Sequence, residues 1–350
     1  MRVAAFAAPG DLATPTGGFV YDRRIVQGLG AHGWRIETLN LGDGFPFPDE
    51  TVRANALARL AAVPEGGTVV VDGLALGALP EAARRLGASH DLVALVHHPL
   101  ALETGLSQDR AAALRQSERE ALAGVRRVIV TSAFTARVLV AEYGAPPERV
   151  TVVRPGNDRK DPAPVRPGRG RPIEMVSVGA VTRRKGYDVL LAAAARLRDL
   201  AWRLTVVGDL GRDAEAAAQL RQDIAKFGLS DRVRVTGAIP DERLAELYAT
   251  SDVFVLASRF EGYGMAFAEA IAHGLPVIGA AGGAVPETIP EGAGLLAPPG
   301  DAAAFALAIR RLITDDAERQ RLAAAARAAA AALPTWDDAA QAFSQALERS

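Results

Sequence analysis

The sequence predicts an α/β protein of two domains, each built on a doubly wound parallel sheet, from three observations. Short β-rich runs alternate with Ala- and Leu-rich helical stretches along the chain, and that alternation builds parallel sheets with crossover helices. A segment dense in proline and glycine interrupts the pattern near the middle, where neither residue permits regular structure. At 350 residues the chain also exceeds what one ordinary core takes up. Two domains with a cleft between them are expected.

The elements follow in order. In the first half Val3 to Ala7, Thr68 to Val71, Leu92 to Val96, Val128 to Thr131 and Val150 to Val153 read as strands. Phe19 to His32 has the apolar spacing of a helix packed on a sheet, and Gln108 to Ala123 that of a charged amphipathic helix. The linker runs from Arg154-Pro155-Gly156-Asn157 through Asp161 to Pro172. The pattern restarts with strand Ile173 to Val178, helix Asp188 to Arg198, strand Arg203 to Val207, helix Ala214 to Phe227, strand Val233 to Thr236 and helix Asp241 to Ala249. Strands Val253 to Leu256 and Pro276 to Gly279 flank the richest motif region, and the chain is helical from Asp301. The expected division is 1–157, a linker over 158–172, a second domain over 173–333, and a helix over 334–350 crossing back to the first domain.

Composition excludes several classes of function. A net charge of -1 removes the electrostatic case for nucleic acid. Without cysteine there are no disulfides and no thiolate metal sites, which fits a reducing compartment. Met1 to Phe6 is too short an apolar run for a signal peptide, and no run reaches the roughly 20 apolar residues of a membrane span. A cytoplasmic protein is expected, with any membrane contact peripheral. Arg110, Arg115, Arg119, Arg126 and Arg127 could meet anionic lipid, but Glu118 and Glu120 interleave with them and favour a solvated face.

Chemistry concentrates in Ser258-Arg259-Phe260-Glu261-Gly262-Tyr263-Gly264-Met265-Ala266-Phe267-Ala268-Glu269-Ala270, which follows a strand and opens a helix. Gly262 and Gly264 admit a ligand close to the backbone, and unpaired N–H groups of a helix starting near Met265 suit a diphosphate. Glu261 precedes the helix and Glu269 lies about two turns inside it, so the two carboxylates can hold different parts of one ligand. A carboxylate fixes a vicinal diol by accepting from both hydroxyls. One suits a sugar, the other a ribose.

Glu-x7-Glu enclosing Gly-x-Gly resembles the signature of family 4 glycosyltransferases, which have the GT-B fold of two Rossmann-like domains facing a central cleft. The likeness extends over nearly the whole chain. Gly282-Gly283-Ala284-Val285-Pro286-Glu287 is similar to the Gly-Gly-x-Pro-Glu segment that faces the donor sugar in that family, with Glu287 its acidic residue. Gly179 to Gly186 resembles the loop whose Arg and Lys neutralise the donor pyrophosphate. Lys185 is in place, but Ala180 stands where an Arg often follows the Gly, leaving Arg183 or Arg184 as substitute. Gly17-Gly18 resembles the family's Gly-Gly loop, and His97 the histidine that contacts the donor sugar, with His98 second. Ser132 resembles a further landmark and is equally suited to capping a helix. Asn157 replaces a usual Asp, and Gly237 resembles the loop lining the nucleobase, with Tyr263, Met265 and Ala266 completing the donor-binding set.

The resemblance implies a retaining transferase that takes a nucleotide-diphosphate sugar, UDP-linked first and GDP-linked next, to an unidentified hydroxyl acceptor: a glycan, a lipid-linked sugar or a small molecule. It implies front-face attack in which the leaving diphosphate helps to deprotonate the acceptor. No cofactor is expected, and no Asp, Glu and His cluster has metal-binding spacing. Lys185 with Arg184 or Arg183 would stabilise the leaving group, Glu261 and His97 hold the sugar, and Glu269 anchor the ribose. A dinucleotide reading lacks its Gly-x-Gly-x-x-Gly. The rivals are another GT-B enzyme, such as a sugar-nucleotide epimerase or a phosphorylase, and a catalytically silent nucleotide-sugar-binding module.

Overall fold

The computed structural model describes residues 1–14, 16–158 and 171–349. Of the linker expected over 158–172, residues 159–170 lie outside the described residues. The chain forms two compact units, Met1–Gly156 with Pro334–Ser350, and Asn157–Leu333. The first unit therefore closes one residue before the expected boundary.

The first unit holds a six-stranded parallel sheet of order β2-β1-β3-β4-β5-β6, formed by β1 Arg2–Ala8, β2 Trp34–Asn40, β3 Thr68–Asp72, β4 Asp91–Val96, β5 Arg127–Val130 and β6 Val150–Val152. Its helices are α1 Gly17–Leu29, α2 Glu50–Ala61, α3 Gly73–Leu76, α4 Pro80–Leu86, α5 Gln108–Ala123 and α6 Ala133–Tyr143. The central strands β3 and β4 are continuous apolar runs, paired Val69 to Leu92 and Val71 to Ala94, because helices cover both faces. The edge strand β2 has no such run and alternates exposed and covered residues; the sequence reading did not find it. The helix expected over Phe19 to His32 starts earlier, at Gly17 under a Thr16 N-cap, and ends in a 3-10 turn over Gly30–His32.

The C-terminal helix Trp336–Glu348 belongs to this unit. It lies so close to α1 that a Cβ on Gly28 would stand 2.6 Å from the Ala340 methyl, and one on Gly156 2.4 Å from the Trp336 backbone. Trp34 Nε1 donates to Ser344 Oγ at 3.0 Å, and Thr335 with Asp338 forms a capping box at its start.

The second unit repeats the architecture, with sheet order β12-β11-β10-β7-β8-β9. Its strands are β7 Ile173–Val178, β8 Trp202–Val207, β9 Val233–Gly237, β10 Val253–Leu256, β11 Val277–Ala280 and β12 Gly294–Ala297. Helices are α7 Tyr187–Ala194, α8 Ala214–Lys226, α9 Asp241–Thr250, α10 Met265–Ala272, α11 Val285–Thr288, α12 Ala302–Thr314 and α13 Asp316–Ala330. The helix expected over Asp188 to Arg198 stops at Ala194 and tightens into a 3-10 turn over Ala195–Leu197. Asp315 divides the C-terminal helical region, ending α12 and capping α13 through the Glu318 N–H at 2.9 Å. Phe254 and Phe267, both fully buried, meet edge to face at 5.3 Å and join β10 to α10. Among the described residues no helix is long and apolar enough to cross a membrane.

Candidate active site

In the second unit β10 ends at Leu256 and the chain turns through Ser258 and Glu261 into α10. The turn is made by Gly264 at φ 93°, a left-handed conformation that side chains resist. It precedes Met265 and Ala266, whose N–H groups open the helix, while those of Phe267 and Ala268 close back on the Gly264 carbonyl.

Glu261 is 5% exposed, and burial alone would raise its pKa. Three donors converge on it: Ser258 Oγ at 2.5 Å and Lys185 Nζ at 2.7 Å on Oε1, and an Arg184 guanidinium nitrogen at 3.0 Å on Oε2. The cations win, and the carboxyl is held at about 2, below its usual 4.5. Arg184 also donates to the Phe260 carbonyl at 2.9 Å. Arg183 turns away to an exposed pair with Glu215 at 2.6 Å, so Arg184 is the arginine that joins Lys185. Tyr187 holds the start of this loop, donating its hydroxyl to the Gly179 carbonyl at 2.7 Å.

Glu269 is the fifth residue of α10, just over one turn inside rather than two, because the helix starts at Met265 and not beside Glu261. Its Oε2 accepts the Tyr248 hydroxyl at 3.2 Å. Burial raises its pKa to about 7, with the charges of Asp241 and Asp158 adding to the rise, while Tyr248 and Lys185 oppose it. Gly282-Gly283 lies against Glu261: Glu261 pairs with Gly283, and the Ala284 N–H donates to the Glu261 carbonyl at 2.9 Å. The Thr288 hydroxyl donates to the Tyr263 carbonyl. Gly262 is buried in this turn, and Glu287 is exposed on short α11. Gly237 ends β9 at φ 74° with open space where a side chain would be.

In the first unit the carboxyl ends of β3, β4 and β5 and the start of α1 gather the other candidates. Gly17 and Gly18 open α1, and a Cβ on Gly18 would lie 3.2 Å from the His97 ring. His97 follows β4 and turns inward, its Nε2 3.0 Å from Asp22 Oδ1 and 3.7 Å from Asp72 Oδ2. Burial lowers its pKa. His98 points to Glu103 at 3.4 Å. Ser132 is buried and caps α6, accepting the Thr135 N–H at 3.0 Å.

Sequence reading found no carboxylate and imidazole cluster, and the fold makes one: Asp22, Asp72 and His97 each turn a polar atom into a space less than 4.8 Å across. Asp22 and Asp72 are both buried, with their carboxyl groups close enough to hydrogen-bond when one of them is protonated. Burial raises Asp22 to about 7, and burial with the neighbouring Asp22 charge raises Asp72 to about 8. Asp72 was visible only as a break in the apolar run from Val69 to Leu79.

The family models described as "Glycosyltransferase Family 4" and "Glycosyl transferases group 1" match residues 16–161 and 160–329. A D-inositol 3-phosphate glycosyltransferase 1 from Catenulispora acidiphila is 35% identical over 63% of this chain and 57% of its own length. The chain spans only a little over half the length of the curated relatives of this kind, 57%, 52% and 54% for three of them. Among solved structures, sucrose-phosphate synthase from Thermosynechococcus elongatus has a TM-score of 0.83 at 24% identity, covering 99% of this chain and 98% of its own. Anabaena HepE, in complex with UDP and glucose, has a TM-score of 0.74 at 19% identity, covering 99% of each chain. Two parallel-sheet units and two family models that together run from residue 16 to residue 329 place the chain in family 4 of the glycosyltransferases, with the GT-B fold.

Proposed function

We propose that the protein moves a sugar from a nucleoside-diphosphate sugar, a UDP-sugar first and a GDP-sugar next, to a hydroxyl acceptor with retention of anomeric configuration and without a metal. The observation that carries this reading is the convergence of Lys185, Arg184 and the Glu261 carboxylate beside the open N-terminus of α10. Two fixed cations and a helix N-terminus suit a diphosphate, and they act most strongly as its charge grows on bond breaking.

In this reading Lys185 and Arg184 stabilise the leaving diphosphate, which takes the proton of the attacking acceptor hydroxyl on the same face. Glu261 accepts three hydrogen bonds; of the roughly four lone-pair sites of a carboxylate, one on Oε2 remains for a sugar hydroxyl. Glu269, supported by Tyr248, accepts the ribose diol. His97 contacts the sugar. UDP as first choice draws on HepE, solved with UDP and with UDP-glucose. The acceptor to try first is D-inositol 3-phosphate, for which several relatives are named.

The test incubates the protein with UDP-glucose, other UDP-sugars and GDP-mannose, with and without that acceptor and a panel of alcohols, and follows the anomeric proton by NMR. Transfer with the donor's configuration retained supports the reading. An inverted product overturns the front-face mechanism, and nucleotide-sugar turnover that needs no acceptor favours an epimerase or hydrolase.

A further inference from the structure

Asp22 and Asp72 are 0% and 2% exposed at the bottom of the first unit's ligand edge, where each carboxylate oxygen needs a donor. Asp22 Oδ1 faces His97 Nε2 at 3.0 Å, and Asp72 Oδ1 accepts the Leu74 N–H at 2.6 Å. Asp22 Oδ2 is fully enclosed and meets no N–H or side-chain hydroxyl among the described residues. Among the described residues Asp72 lies within reach of it and can donate only as the acid. Two buried carboxylates whose oxygens lie within 4.8 Å of each other cannot both readily ionise.

We propose that Asp22 and Asp72 share one proton as an acid and carboxylate pair, and that they fix His97 in the Nε2–H tautomer so that Nδ1 is left to accept a hydrogen bond from a donor-sugar hydroxyl. The proton rides on Asp72 and points to Asp22 Oδ2, and the ionised Asp22 then takes the Nε2–H through Oδ1. His97 Nδ1 has no partner among the described residues, and burial lowers the pKa of the ring against the opposing charge of Asp72. Tyr21 closes the space from α1, its ring edge-on to His97 at 5.4 Å and its hydroxyl donating to the Val153 carbonyl at 3.1 Å. His98, next in the chain, is paired with Glu103. Asp22 and Asp72 are thus positioning residues. A sugar position that must donate to Nδ1 rejects a fluoro or methoxy replacement, which has no proton to give. That last step rests on the proposed role of His97, whereas the proton pair and the tautomer do not.

The test is NMR of protein labelled with 15N-histidine, using long-range proton–nitrogen correlation at pH 7.5. There are five histidines, and His97→Gln identifies the signal. The expected pattern is a protonated Nε2 and a bare Nδ1. Asp72→Asn keeps it, because the amide N–H replaces the shared proton, and Asp22→Ala loses it as the ring exchanges between tautomers. A wild-type His97 that is doubly protonated or carries its proton on Nδ1 overturns the proposal whether or not the variants fold. So does Zn2+ that displaces the Nε2 proton and raises Tm in wild type but not in Asp22→Ala, since the three groups are then a metal site. If the tautomer is found but no nucleotide sugar binds, the pair stands and the donor reading falls.

Discussion

Replacing Glu261 by Gln keeps the shape of the side chain and removes the charge that Lys185 and Arg184 share. The carboxyl is held at about 2 against an ordinary 4.5, so its ionised form is favoured in the fold by about 3.4 kcal/mol. Because the folded pKa is depressed, this stability is present above the unfolded value and lost as pH falls toward about 2. Glu261→Gln should therefore cost about 3 kcal/mol at pH 7, in line with the roughly 3–5 kcal/mol of breaking a buried pair. The wild-type advantage should shrink to about 1.4 kcal/mol at pH 3. Trp202 is the second unit's own tryptophan, so urea unfolding followed by its fluorescence, with Trp34 and Trp336 replaced by Phe in both proteins, reads the right unit. A loss below about 1 kcal/mol at pH 7, or a difference that does not change down to pH 3, would refute the account of Glu261 as the counterion of these cations.

Further consequences follow from single residues. Lys185→Ala should lower kcat by roughly 10²- to 10³-fold and, because it takes one of the two cations from the buried Glu261 carboxylate, should also lower Tm while circular dichroism still shows the wild-type fold at the assay temperature; unchanged turnover rules out a part in leaving-group stabilisation. Burial raises Glu269 to about 7; on its proposed role, in which the ionised carboxylate accepts the ribose diol, UDP-glucose should bind about tenfold more weakly at pH 6 than at pH 8. Calorimetry reads this directly, and Glu269→Gln should flatten the dependence. Gly156→Ala would put a methyl 2.4 Å from the Trp336 backbone and should destabilise the first unit by about 1–3 kcal/mol; a change within about 0.5 kcal/mol in urea unfolding contradicts the docking of the C-terminal helix. Phe267→Ala, at a fully buried ring against Phe254, should cost about 3–5 kcal/mol in the same assay.

Much of the fold was legible because central parallel strands are uninterrupted apolar runs. Ile173–Val178 and Val253–Leu256 were read to the residue, as was the helix Gln108–Ala123. The edge strands β2 and β12 were missed: Trp34–Asn40 mixes charged and apolar residues, and Gly294–Ala297 is four residues long. The Glu261 and Glu269 pair was visible as a local motif, whereas the engagement of Glu261 by Ser258, Arg184 and Lys185 needed the loop after β7 folded against it. Which of Arg183 and Arg184 reaches Glu261 is set by a side-chain direction that no sequence spacing encodes. Asp22, Asp72 and His97 come from α1, the end of β3 and the residue after β4. They meet because β3 and β4 are neighbours in the sheet and α1 packs across their ends, and their distances along the chain carry no signal of it.

The measurement closest to the central claim is the melting temperature of the protein with UDP-, GDP- and ADP-sugars, for wild type and Lys185→Ala side by side. A ligand that binds only the folded state raises Tm according to its affinity. The account predicts a rise with UDP-sugars, or failing those with GDP-sugars, that is largely lost in Lys185→Ala. No rise with any of them, or one that Lys185→Ala leaves intact, would contradict a diphosphate held by the cations beside Glu261.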